Sequence, residues 1–246
     1  MMTLMAQIKR EFIAFFVSPI AYVVLVAAML VNGIVFGMIV DFLSDPRSGH
    51  SAAMQLMFSN EFYWFLTLVI CPLITMRLLS EERNLGTLET LLTAPISPVG
   101  VVVAKFLSAL SFWVVLWLPT LAYVIILSQY STLDPGPVAA GYLGTFGVGM
   151  MLLSVGLFFS ALSKNQIVAA LLAFGANMAV FLLGLSASMG AVQSSESILG
   201  YINLFEHMLD FSRGIVDTRH LVYYGSVTLF MLFGTVQVLQ VRRWRG

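Results

Sequence analysis

Apolar residues fall along this chain in six long blocks separated by short polar stretches, with neither the alternation of half-buried strands nor the short runs of a soluble core. The blocks cover about residues 19–41, 60–79, 101–128, 138–162, 166–190 and 221–241. At 1.5 Å of rise per residue, about 18 or more residues cross a hydrocarbon core of about 30 Å, so each block predicts a transmembrane helix. Backbone in lipid must satisfy its own hydrogen bonds, and a helix does so within one segment. The predicted fold class is therefore all-α: a polytopic membrane protein with six transmembrane helices, residues 1–246 forming one domain.

Two further stretches have helical periodicity without the length or apolarity to span. In "TLMAQIKREFIAFFVSP", Leu4, Ile8, Phe12, Phe15 and Phe16 recur at helical spacing, with Gln7, Lys9, Arg10 and Glu11 elsewhere, so residues 1–18 predict an interfacial helix. Lys9, Arg10 and Glu11 are expected to face the inner-leaflet surface, and Ser18 with Pro19 to start the first span. Residues 191–220 predict an extracellular re-entrant or amphipathic segment with a helix at about 203–216. Its candidate apolar contacts are Leu204, Phe205, Met208, Leu209 and Phe211, of which Phe205, Met208 and Phe211 are expected to close or line an outer mouth.

Composition agrees: 59% of residues are hydrophobic and 10% charged, against roughly 25% charged in an ordinary soluble domain. Basic residues ahead of the first block give it the look of a secretory signal. That block continues past Asn32 without a small-residue cleavage site and reads as a retained span. The single cysteine, Cys71, lies within a predicted span, excludes an internal disulfide and is expected to serve packing.

With six spans the termini share a side, and on that side fall nine basic residues: Lys9, Arg10, Arg77, Arg83, Lys105, Lys164, Arg242, Arg243 and Arg245. Three, Arg47, Arg213 and Arg219, fall opposite. This asymmetry predicts cytoplasmic termini and insertion in the cell inner (cytoplasmic) membrane.

The densest charge lies in "SEERNLGTLETLLTAPISP", residues 80–98, on the predicted cytoplasmic side between the second and third spans. Ser80 is positioned to cap a helix opening with Glu81 and Glu82, whose charges suit the positive end of the helix dipole. Gly86 permits a bend, Thr87 is positioned to cap a second short helix, and Pro95 and Pro98 end it. Leu85, Leu88, Leu91 and Leu92 then share a side away from Glu89. Two readings follow: a solvated interfacial loop, or a helix inserted by leucine anchors into a groove on a cytoplasmic partner.

These residues resemble the signature of ABC-2 type permeases, the membrane subunits of a class of ATP-binding cassette transporters. The resemblance rests on Glu81, Glu82 and Arg83, then Gly86 and Thr87, Glu89, Leu91 with Leu92, and Pro95. "REFIAFFVSPIAYVV" looks like the N-terminal interfacial helix and first span of the gliding-motility-associated subgroup, itself similar to permeases of nitrous-oxide-reductase maturation, and "FEHMLDFSRGIVDTRHLVYY" like the same subgroup's entry to the last span. The resemblance implies a coupling segment at residues 80–98, with Glu81, Glu82, Arg83, Gly86, Thr87, Leu88, Glu89, Leu91, Leu92 and Pro95 serving ATPase coupling. It implies as partners an ABC ATP-binding subunit, a second permease copy or a paralogous permease, and membrane lipid; nucleic acid is not an expected partner. By family analogy the cargo is hydrophobic, lipid-linked or polymeric.

A P-loop needs Gly, four residues, Gly, Lys and Ser or Thr, and none of Lys9, Lys105 or Lys164 sits in that pattern. The expectation is therefore no catalytic or metal-binding residue and no cofactor in this chain, with ATP and Mg in the partner subunit. Pro72 and Pro119 are expected to kink the second and third spans. Gly33 with Gly37, and Gly141, Gly144, Gly147 and Gly149, are expected to admit close helix approach. Asn177, Ser186 and Ser188 fit either a cargo pathway or interhelical hydrogen bonds. An intramembrane enzyme using Glu81 and Glu82, or His207, Asp210 and His220, lacks a His-Glu-x-x-His motif and places those groups on opposite sides. A passive channel or scaffold leaves the charged segment unexplained.

Overall fold

A computed structural model describes residues 2–44, 56–86, 97–130, 134–188 and 200–243. Among them every regular element is helical: α1 (Met2–Val17), α2 (Pro19–Ser44), α3 (Glu61–Thr75), α4 (Ser80–Asn84), α5 (Pro98–Trp117), α6 (Leu121–Tyr130), α7 (Pro135–Leu162), α8 (Gln166–Ser188), α9 (Leu204–Ser212) and α10 (Thr218–Arg243). Six stretches are long and apolar enough to cross a membrane: Pro19–Ser44, Leu56–Asn84, Pro98–Tyr130, Pro135–Leu162, Gln166–Ser186 and Thr218–Val241.

Several spans begin earlier than hydropathy predicts, for a local reason. Ser97 accepts a hydrogen bond from the Gly100 amide at 3.1 Å and Asp134 one from Gly136 at 3.0 Å, each just ahead of a proline in the first helical turn. Such a cap satisfies a donor the helix leaves open, and proline there sacrifices no bonded amide. Asn60 likewise caps α3, accepting from Tyr63 N at 2.7 Å.

Of the two prolines expected to kink their spans, Pro119 interrupts its helix: it lies in a 3-10 turn, Leu118–Thr120, that divides the third span into α5 and α6. Pro72 lies within α3, which ends three residues later, and residues 76–79 form a turn before α4. Ser80 does not cap a new helix, contrary to the sequence expectation. The amides at the start of α4 are met from another helix: Ser160 Oγ accepts from Leu79 N and Ser80 N, and backbone bonding resumes with Glu81 N donating to Arg77 O at 3.4 Å and Arg83 N to Leu79 O at 3.1 Å. The Ser80 hydroxyl donates back to the Met76 carbonyl instead.

The fourth span is the axis of the bundle. In the second, third and fourth spans 67%, 61% and 72% of the apolar window is buried within the chain, against 22% in each of the other three. Those outer helices therefore present most of their apolar surface to lipid or to another protein. Glycines let the axis be approached closely: a Cβ at Gly144 would lie 2.7 Å from the Phe211 ring, one at Gly147 2.6 Å from Tyr224, and one at Gly149 would collide with Trp113. Gly141 is packed against Phe58 in the same way. Among the described residues the expected Gly33/Gly37 pair does not act together, because a Cβ at Gly37 would meet none of them within 4 Å.

Candidate functional site: a charged junction at one end of the bundle

Lys105 sits on α5 two turns into an apolar span, 2% exposed, and its ammonium would be costly to bury alone. It is not alone: Nζ lies 2.8 Å from Glu82 Oε1 and 3.2 Å from Glu11 Oε2. Glu11 Oε1 also accepts from Arg10 Nη2 at 2.9 Å. One buried cation thus joins α1, α4 and α5. Aromatic packing holds α1 to the same place, with Phe15 stacked on Phe112 at 5.1 Å between ring centroids and Phe16 edge-on to Phe112 at 5.7 Å. The Arg77 guanidinium lies 5.1 Å from the Phe15 ring centroid, a cation–π contact that ties the turn after α3 to α1.

A cavity of about 370 Å³ opens at this junction, and Glu11, Phe15, Arg77, Glu81, Glu82 and Lys105 are among its lining residues. Burial raises the Glu11 carboxyl pKa, but Lys105 and Arg10 together outweigh burial and hold it below its ordinary 4.5. The sign of the consequence follows: a carboxyl depressed in the folded protein contributes stability present above its unfolded pKa and lost as pH falls through the folded one. The contribution of Glu11 to the docking of α1 is therefore expected to weaken as pH falls below about 4.5. Hydrogen exchange of residues 8–17 against pH checks this, and Glu11→Gln should remove the step.

α4 is anchored from its other side. Ser160 Oγ accepts the amides of Leu79 at 3.1 Å and Ser80 at 3.2 Å and donates to Met76 O at 3.1 Å, so one hydroxyl satisfies the irregular turn below α3. Arg83 Nη1 donates to Ala161 O at 2.9 Å, placing a cation at the C-terminal end of α7, where the helix dipole favours it.

Of the sequence-derived candidates, Glu82, Arg83 and Glu11 converge here. Glu82 and Glu11 turn inward onto Lys105, so Glu11 does not face the leaflet surface as expected, whereas Lys9 and Arg10 are exposed. Glu81 and Leu85 are exposed, and Gly86 adopts φ +72°, the left-handed conformation that glycine takes without strain, at the predicted bend. Thr87, Leu88, Glu89, Leu91, Leu92 and Pro95 lie outside the described residues. Lys105, Arg77 and Ser160 were not singled out from the sequence. A lysine within "VVVAKFLSAL" was the available signal, since an ionisable residue inside a span is rare unless it is paired.

The opposite end of the bundle carries α9, shorter than the predicted 203–216. Asn203 caps it, accepting from Phe205 N at 3.2 Å, and Gly214 at φ +85° ends the segment. Met208 and Phe211 are fully buried against Gly144, and Phe205 is half-buried. His207 and His220 stack with ring centroids 3.9 Å apart, and His220 Nε2 lies 3.1 Å from Asp210 Oδ2. Among the described residues no group of three or more His, Cys, Asp or Glu could hold a metal ion. Ser186 bonds the Leu183 carbonyl of its own helix, and the buried Asn177 amide has no hydrogen-bond partner among the described residues, so neither makes the interhelical bond the sequence allowed. The side chain of Ser188 lies outside the described residues.

Comparison with curated proteins finds no match. A family model described as "ABC-2 family transporter protein" matches residues 7–190, which take in α1, the charged junction and the central fourth span. With six helices long and apolar enough to cross a membrane, the chain belongs to the ABC-2 family of transporter proteins and is a multi-pass membrane subunit of that class.

Proposed function

We propose that the chain is the permease half of an ATP-driven exporter, coupled through the charged junction to a separate ATP-binding subunit at the cytoplasmic face. The observation that carries this reading is the Lys105 bridge: one buried cation connects the interfacial helix, the cytoplasmic end of the second span and the third span. A push on the exposed Glu81 side of α4 would reach α1 through Glu82 and Lys105, and the fourth span through Arg83 and Ser160. Segment 87–96 would add the docking surface, ATP and Mg would reside in the partner, and two permease copies or a paralogous pair would enclose the route. Both termini would be cytoplasmic, in the cell inner membrane. α9, with Phe205, Met208 and Phe211, would close the far end, and Asn177 is the polar group we assign to the cargo side. The subgroup resemblance makes membrane-associated assembly or motility an alternative use of the same machinery.

The test is affinity purification from membranes in mild detergent, with ATPase activity assayed on the product. A P-loop ATPase should accompany the wild type and be lost with Glu81→Arg, which changes an exposed charge. Lys105→Gln should retain the ATPase while breaking communication between the permease and its turnover. A chain that purifies without any ATPase, or Glu81→Arg with undiminished capture, counts against the reading.

A further inference from the structure

α9 is held by a histidine whose environment suits only its neutral form. His207 is 4% exposed, and its Nδ1 has no hydrogen-bond partner among the described residues. One face stacks on His220 at 3.9 Å between centroids with an interplanar angle of 29°, and the Tyr223 and Tyr224 rings meet it edge-on at 5.6 and 5.7 Å. Near it on the same helix, Met208 packs against Gly144 and the Tyr63 hydroxyl, and Phe211 against Gly144 and the His220 and Tyr224 rings. His207 is the one buried ionisable side chain of α9.

We propose that His207 is a proton-operated latch: its packed seat accepts only the neutral ring, so protonation of His207 favours a form in which the ring has left the bundle and α9 is released from the fourth and sixth spans. This rests on the reading of α9 as the closure of the far end, and extends it to regulation. An imidazolium at His207 would face a second histidine ring at stacking distance. Asp210, on the same helix, is engaged with His220 Nε2 instead.

The surrounding charges do not rescue it. α10 contributes His220, Tyr223 and Tyr224, with Arg219 exposed beside them, and Asp217 at its head is the one acid that favours a charged His207. α9 itself carries Glu206, which is exposed, and Asp210, with the exposed Arg213 just beyond it. α3 contributes the Tyr63 hydroxyl, bonded to Thr145 at 3.2 Å. α7 contains Tyr142 as its ionisable side chain, bonded to Thr120 at 2.8 Å, and α8 contains none.

Burial first, and then His220, hold the His207 imidazole at about 3 against an ordinary 6.5, with Asp217 opposing. Above 6.5 both the closed and released forms are neutral and the latch is at full strength. Below it the released form binds a proton that the closed form refuses, so closure weakens steadily until about 3. At about pH 5 the shift in the closed-to-released ratio approaches thirty-fold.

Hydrogen exchange of the full chain in lipid nanodiscs, corrected for the pH dependence of intrinsic exchange, measures this at about pH 7.5 and about pH 5. Residues 204–212 should lose protection by roughly ten- to thirty-fold at the lower pH, while residues 148–157 of α7 keep theirs. His207→Phe retains a ring to stack on His220 but cannot be protonated, and should hold 204–212 closed at both pH values. Should that variant prove unfolded, with 148–157 unprotected at neutral pH, His207→Asn serves as the second non-titrating form. Unchanged protection in the wild type overturns the latch, as does loss spread equally into 148–157, or a non-titrating variant that opens like the wild type. These outcomes are independent of ATPase capture, so the latch and the permease assignment can fail separately.

Discussion

Lys105→Met is expected to lower stability by about 3–5 kcal/mol, because it removes the cation and leaves Glu11 and Glu82 converging on a buried methionine. The loss should exceed what deleting a surface ion pair gives, since surface pairs contribute only about 0–1 kcal/mol. Cys71 supplies a native reporter: it is fully buried, and reaction of its thiol with a maleimide dye on heating marks the opening of the second span. A triple variant separates charge from shape. Glu11→Gln with Glu82→Gln and Lys105→Met leaves no carboxylate to desolvate and should recover most of the lost stability. If the single variant melts with the wild type, or the triple is no better than the single, the bridge is not what holds this junction together.

The next largest effect is expected from Gly149→Ala. A methyl there would run into the indole of Trp113, which is 1% exposed and donates through Nε1 to Thr145 O at 3.2 Å. Overpacking of this kind costs about 1–3 kcal/mol, and displacing the indole adds the desolvation penalty of an unpaired N–H, about 1–3 kcal/mol. Gly175→Ala is the matched control. None of the described residues lies within 4 Å of a Cβ there, and replacing a mid-helix glycine should be neutral or stabilising by up to about 1 kcal/mol. The same thermal assay reads both; equal melting temperatures for the two variants would mean that the fourth span is looser than its packing implies. Trp113→Leu introduced beside Gly149→Ala should relieve the clash, a non-additivity expected of touching residues.

The spans were legible because lipid leaves the chain little freedom: twenty apolar residues can hardly do anything else. Their ends were less so, since Ser97-Pro98 and Asp134-Pro135 are caps that hydropathy does not register. The junction was half visible. Glu81, Glu82 and Arg83 stand out as charge in an apolar chain, but their partners do not, because Lys105 is distant in sequence and Ser160 is one ordinary hydroxyl among many. Pairwise contact across a bundle depends on helix rotation, and a single sequence carries no signal for it. Ser80 shows the opposite failure: its sequence context matches a helix cap, yet the capping hydroxyl comes from Ser160 of another helix while that of Ser80 turns back to Met76.

The turn at residues 76–79 has a mechanical corollary. Were its amides satisfied by water, the tail of the second span could swing freely from it. Where the turn passes into α4, the Leu79 and Ser80 amides are instead held by Ser160 near the end of α7, so the tail is hinged on the fourth span. Force applied at Glu81 would meet the most buried helix of the bundle before the less buried outer helices. Loaded at its axis in this way, the bundle would move its outer helices together, and a displacement at one face would become a change of shape at the other.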